Sequence, residues 1–196
     1  MILNEIKKNG GIVKTSYLNK LGVRNDELVK FCNEHKIERI KHGYYGIPGN
    51  CNVSEEKLIV EFLSEGIVCM ESALFFYGYS DKSPLEWTIA VPRNISKSKL
   101  KIDNFFYKPY FVQEDKFNIG ISKEDINGVT MFIYDRERTI CDCFKYKTKM
   151  DREMFLTAIK LYAIDEKRNL SNLALYAKKL GVYKKVYEMM EVLFNE

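Results

Sequence analysis

Glu71, Arg93, Asp135, Arg136, Arg138 and Asp142, all beyond residue 50, are candidates by type for acid/base or anion chemistry, and four of them crowd into eight residues. Asp135 stands where it caps a helix, with Arg138 three positions on, and Arg138 to Asp142 is an i, i+4 pair on one helical face. Arginine–carboxylate clusters of this kind more often fasten a helix to its sheet than perform a reaction. Glu137, between two arginines, is not a paired-carboxylate acid/base system. Cys141-Asp142-Cys143 has the look of a metal site, but an i, i+2 pair points to two sides of a helix, and His35 and His42 are far away in sequence. The five cysteines (32, 51, 69, 141, 143) contain no C-x-x-C pair, and an odd number without a secretion signal argues against a disulfide framework, so neither a metal site nor disulfides are expected, and Cys141 or Cys143 reads as a small apolar core residue. Asp103, Glu114 and Asp135 have the chemistry for a metal-dependent nuclease, which needs acidic groups converging at strand ends, but their spacing does not demand it. There is no glycine-rich phosphate loop and no Cys–His or Ser–His–Asp arrangement. The expectation is a protein that is not an enzyme, with no catalytic residues, no metal and no cofactor.

A second set of residues has the types that bind DNA. Arg24 and Asn25 open a short helix; arginine pairs bidentately with guanine and asparagine with adenine, while Asn25 reads equally well as a helix cap. Thr15, Ser16 and Tyr17 start the preceding helix, where hydroxyls and free amides can hold phosphate. Lys30, Arg39, Lys41 and His42 would add backbone contacts, with Tyr44 on the strand that follows. Residues 1 to 50 hold nine Lys or Arg against five Asp or Glu, while the remainder balances at 22 against 22, so all the net charge of +4 lies in this quarter. Neutralising phosphates releases counterions, so such a surface binds DNA in a salt-dependent way. Asp26, Glu27 and Glu34 would repel phosphate and keep the footprint narrow. One copy of such a module binds weakly, which implies a dimer or two adjacent sites.

The elements that must position these residues follow one another as a winged helix-turn-helix. Asn4 to Lys8 forms a first helix, ended by Asn9-Gly10-Gly11. Thr15 caps a second, in which Leu18 and Leu21 share a face, Gly22 stops it and Val23 plugs the turn. Leu28, Phe31 and Cys32 mark the inward face of the third. Ile37 to Lys41, the turn His42-Gly43, and Tyr44 to Ile47 make a hairpin whose tip carries Lys41 and His42. Beyond the Pro48-Gly49-Asn50-Cys51-Asn52 linker, Ser54 caps a helix that runs through Leu63, with a Lys57–Glu61 pair. Residues 71 to 77 read as a buried helix. Residues 86 to 91, 104 to 107 and 129 to 134 read as strands of a three- or four-stranded sheet, and four helices follow over roughly 136–146, 151–164, 170–180 and 183–194. The fold class is mixed α/β (α+β): residues 1–50 a winged helix-turn-helix, residues 51–196 a C-terminal domain with a small sheet packed by helices.

A chain of 196 residues that is 46% hydrophobic can bury cores for two such domains. There is no apolar run of about 18 residues, and Glu5 with Lys7-Lys8 interrupts the short apolar start, so no membrane span and no signal peptide are expected, and the protein is expected in the cytoplasm. Phe105, Phe106, Tyr107, Tyr110, Phe111 and Phe117 could line a small-molecule pocket of a transcription factor, although a core is the commoner use.

Taken as a set, Gly10-Gly11-Ile12-Val13, Leu21-Gly22-Val23, the run from Glu38 to Tyr45, Glu71-Ser72-Ala73-Leu74 with Tyr77-Gly78, Val91-Pro92-Arg93, and Tyr134-Asp135-Arg136-Glu137-Arg138-Thr139-Ile140-Cys141-Asp142 resemble the AbiEi family of abortive-infection antitoxins. The likeness runs nearly end to end. It implies the antitoxin half of a bacterial type IV toxin–antitoxin operon active in phage defence. The winged helix would repress its own promoter at repeated or inverted sites, and the C-terminal domain would counteract a nucleotidyltransferase-like toxin. Met70 stands where many relatives are expected to have histidine, which speaks against a His-based site in that domain.

Overall fold

The computed structural model describes residues 1–49, 53–102 and 105–194, and among them the chain is mixed α/β, with eleven α-helices, one 3-10 turn and two sheets. Contacts divide it into two compact units, Met1–Leu63 with Ser96–Phe105, and Ser64–Ile95 with Phe106–Glu196. The first unit therefore reaches past residue 50, and residues 50–52 of the expected linker lie outside the described residues.

Unit 1 runs α1 (Ile2–Lys8), β1 (Ile12–Lys14), α2 (Thr15–Lys20), α3 (Asn25–Asn33), β2 (Glu38–Lys41), β3 (Tyr44–Gly46) and α4 (Glu55–Phe62). Its sheet has the order β1-β3-β2, antiparallel throughout, with a bulge between Arg39 and Lys41. β1 was not foreseen: three residues are too few for a periodic signal, and only pairing with β3 makes them a strand. Ile2, Ile6, Val13, Leu18, Val23, Leu28 and Ile37 form the core, so Val23 does plug the α2–α3 turn, with Phe31 and Cys32 packed at its edge. Leu21 departs from expectation and is 42% exposed, because α2 ends one residue earlier. Two expected caps also shift. Lys14 and Arg24 hold the N-cap positions of α2 and α3, Thr15 donates its N–H to the carbonyl of Gly43 (2.8 Å), and Glu27 Oε2 accepts from the N–H of Arg24 (3.0 Å). Ser54 caps α4 as its sequence predicts, but Lys57 donates to the carbonyl of Asn9, and Glu61 pairs with Lys14 (3.5 Å) instead.

Unit 2 holds β4 (Ile67–Val68), α5 (Met70–Phe76), β5 (Trp87–Pro92), then, after α6 (Lys97–Leu100) of unit 1, β6 (Tyr107–Val112), α7 (Glu114–Phe117), β7 (Ile121–Ile126), β8 (Val129–Tyr134), α8 (Arg136–Lys145), a 3-10 turn (Lys147–Lys149), α9 (Arg152–Ile164), α10 (Leu170–Leu180) and α11 (Tyr183–Phe194). The five-stranded sheet has the order β6-β5-β4-β8-β7, with β5/β6 and β4/β8 parallel and the other pairs antiparallel. The strand expected at 104–107 lies further on, and it contains Pro109. As an edge strand, β6 tolerates a residue that lacks an N–H. β7 was missed, although Asn127-Gly128, with φ of 52° and 80°, is the two-residue turn that joins antiparallel strands. The helix expected to be buried at 71–77 is amphipathic: Ala73 and Leu74 are enclosed, Phe75 and Phe76 are 46% and 36% exposed. α8 is central, buried at every residue from 137 to 144, and packs with Leu74, Phe155, Ile159, Tyr162, Leu173 and Ala177 in the main core.

Candidate functional site

The N-terminal set shares one unit but not one state. Ser16, Tyr17, Arg24, Asn25, Lys30, Arg39 and His42 are exposed, Thr15 is half-buried, and Lys41 and Tyr44 are half-buried against the helices that follow. The phenol of Tyr17 donates to Glu5 Oε2 (3.1 Å). Arg24 is held by Asp26, its Nε donating to Oδ1 (2.9 Å) and its Nη2 pairing with Oδ2, and the guanidinium beside it holds the Asp26 carboxyl below its ordinary range. Lys41 is not a projecting tip group: its ammonium lies 5.5 Å from the centroid of the Phe62 ring and donates to the carbonyl of Lys99 (3.0 Å). Tyr44 meets Phe62 edge to face at 4.6 Å and donates its hydroxyl to the carbonyl of Glu61 (3.2 Å). The hairpin is thus clasped by α4 and α6, and His42 is left exposed at its tip.

In unit 2 the structure gathers four of the six charged candidates on α8. Asp135 is the N-cap, its Oδ1 accepting from the N–H of Arg138 (2.8 Å) and its Oδ2 from the hydroxyl of Tyr176 on α10 (3.2 Å). Burial raises its pKa to about 6. Arg136 lies 4.6 Å from the Tyr77 ring centroid and donates to Asp165 Oδ2 (3.1 Å), which also accepts from Tyr79. Arg138 is fully enclosed. Its guanidinium lies 3.9 Å from the Tyr134 ring centroid, Nε donates to Asp142 Oδ2 (3.0 Å), and Nη1 donates to the carbonyls of Lys116 and Ile119 (2.7 Å each). Nη2 of Arg138 and Oδ1 of Asp142 are buried without a hydrogen-bond partner. Burial outweighs the arginine and raises the Asp142 pKa. Gly120 makes room for this packing, since a Cβ there would stand 2.5 Å from that of Arg138. Glu137 accepts from Tyr162 (3.1 Å) and from the backbone of Asn169 (2.7 Å).

Glu71 and Arg93 do not join this helix. Glu71 pairs with Lys108 (3.3 Å) and accepts from Tyr110 (3.4 Å to Oε2), whereas Arg93 follows β5, exposed, its backbone N–H on the carbonyl of Val112 (2.8 Å). Met70, next to Glu71, is buried with φ of 44°. Cys141 and Cys143 are both buried, since α8 is enclosed on all sides, and burial raises both thiols. Among the described residues no group of three His, Cys, Asp or Glu could hold a metal, and Asp103 lies outside them. The aromatic run does not line one pocket: Tyr110 and Phe117 pack in a core cluster, while Phe106 and Phe111 are 83% and 49% exposed. Tyr176, Asp165, Tyr162 and the carbonyls of residues 116 and 119 leave no mark in the sequence pattern because they lie 19 or more positions from their partners on α8 and its cap, beyond any local pattern. No protein-family model matches this chain, and no curated protein matches it.

Proposed function

We propose that the chain is the antitoxin of a bacterial type IV toxin–antitoxin system, a cytoplasmic autorepressor whose unit 1 is a winged helix on promoter DNA and whose unit 2 counteracts a nucleotidyltransferase-like toxin without catalysis. The observation that carries the reading is the order α1-β1-α2-α3-β2-β3 with the sheet β1-β3-β2, the layout in which a second helix of a pair is offered to the major groove and a hairpin flanks it. The exposed Arg24, Asn25, Lys30 and Arg39 supply the chemistry for that role. The resemblance of the run from Tyr134 to Asp142 to the AbiEi family supports the rest. Within that run, the ties of Asp135 to Tyr176 on α10 and of Arg138 to the carbonyls of Lys116 and Ile119, with Asp142 bound to Arg138 on the same helix, favour a structural role over a reaction.

Gel shift of the full chain on its own upstream DNA, across salt and with competitor, together with growth rescue from the co-expressed neighbouring toxin, tests both halves. Specific, salt-sensitive retardation and rescue are expected. Absence of a specific shift removes the repressor half, and failure of a folded, expressed protein to rescue removes the antitoxin half.

A further inference from the structure

The charges of α11 run against its own dipole. Lys184 and Lys185 occupy its first turn, where a helix favours acids, and Glu188 and Glu191 follow toward its C-terminal end, where it favours bases. Lys178 and Lys179, at the end of α10, add to the same basic end. The Lys184–Glu188 pair, at 3.9 Å and largely exposed, compensates little. A helix that breaks a local rule on its exposed side marks a surface whose charges answer to something outside the unit.

That side also carries unpartnered apolar area. Tyr183, Tyr187 and Glu191 recur every fourth residue as one stripe, the two rings stacked at 6.0 Å and 39% and 54% exposed. With Leu170 and Ala174 of α10 and Met190 they line a groove of ≈ 460 Å³. Lys178 lies 5.0 Å from the centroid of the Tyr183 ring, so the groove has a cation at one end and the Glu191 carboxylate at the other.

We propose that this face joins two copies of the chain, their α11 helices packed antiparallel about a two-fold axis at Tyr187. Tyr183 and Glu191 are equidistant from Tyr187, four residues on either side, so the axis sets each Tyr183 opposite the second copy's Glu191. Each carboxylate then accepts from a phenol and lies beside Lys178 and Lys184, and the two helix dipoles oppose each other favourably. The basic end, the acidic end and the aromatic centre form a self-complementary patch, as an isologous contact requires; a different partner would need no such symmetry. From Tyr183 to Glu191 the helix rises only about 12 Å. The contact falls short of a standard interface, and association on the order of 10 μM is expected.

The inference rests on unit 2 alone and is read without DNA or toxin, so it stands or falls apart from the repressor and antitoxin assignments. Sedimentation equilibrium of the full chain between about 1 and 300 μM should show the mass rising from the 23.0 kDa monomer toward twice that value. Glu191→Lys and Tyr187→Arg, each verified as folded by circular dichroism, should remain monomeric throughout. Adding Lys178→Glu and Lys184→Glu to Glu191→Lys should restore association. A wild-type monomer at every concentration, or a dimer that survives either single substitution, overturns the proposal; failure of the charge-swapped variant to associate overturns the antiparallel register.

Discussion

Arg138 is a cation with no solvent contact whose hydrogen bonds reach α8 itself, Lys116 of α7 and Ile119 just beyond it. Its partner Asp142 is equally enclosed, and each keeps one atom unbonded, so the pair carries a desolvation cost that, for the Asp142 carboxylate, its attraction to Arg138 offsets. Arg138→Ala should therefore lower unfolding free energy by about 3–5 kcal/mol in urea titration, because it strands the Asp142 carboxylate. The apolar double variant Arg138→Met/Asp142→Leu should recover most of that loss; a single variant as stable as wild type would refute the structural role. Asp135 makes a prediction in pH. Its folded pKa of about 6 stands above the 3.8 of the free side chain, so between those values the folded state holds more protons than the unfolded one. This group's contribution to stability is then present below pH 3.8 and lost as pH rises through 6. Asp135→Asn keeps the cap and removes the titration, so stability curves of the variant and wild type should converge toward the acid end and separate, with the variant more stable, above pH 6. Parallel curves would contradict the shift.

At the scale of elements, α3 presents Arg24 already bound to Asp26, with Glu27 one residue on. In the proposed repressor that arginine has to be released before it reads a base. Asp26→Asn should thus tighten operator binding, whereas Arg24→Ala should weaken it by about 1–3 kcal/mol, both read by fluorescence anisotropy at fixed salt; tighter binding by Arg24→Ala would remove α3 from the DNA face. The hairpin behaves differently, because Lys41 and Tyr44 lie on α4 and α6. Their truncation should act through the posture of the hairpin as well as through any phosphate contact of the proposed DNA face. The helices 170–180 and 183–194 coincide with their sequence-based bounds, since long amphipathic stretches ended by Gly181 carry their own signal. β1 and β4, with three and two residues, carry none and exist through pairing.

At the scale of the molecule, the N-terminal unit is discontinuous in sequence: Ser96–Phe105 belongs with it although it falls in the chain between β5 and β6. Within unit 1, α4 receives the Tyr44 ring on Phe62 and ties Lys57 to Asn9. A cut at residue 50 therefore strips α4 of these partners. Fragment 51–196 should be less soluble than the full chain, assayed by expression; equal solubility of the two would show that α4 needs no cover from residues 1–50. Local sequence determined the helix spacing of unit 1, the strand at 129–134, the four terminal helices, the confinement of net charge to the first 50 residues and the Asp135 cap, because each is written in neighbours within four residues or in simple counts. Tertiary structure alone decided the five-strand order, the clasping of Lys41 and Tyr44, the burial of Arg138 and the joining of Asp135 to Tyr176. Those depend on partners 17 to 58 positions apart, and contacts at such separations leave no periodicity in the chain, only in the folded core.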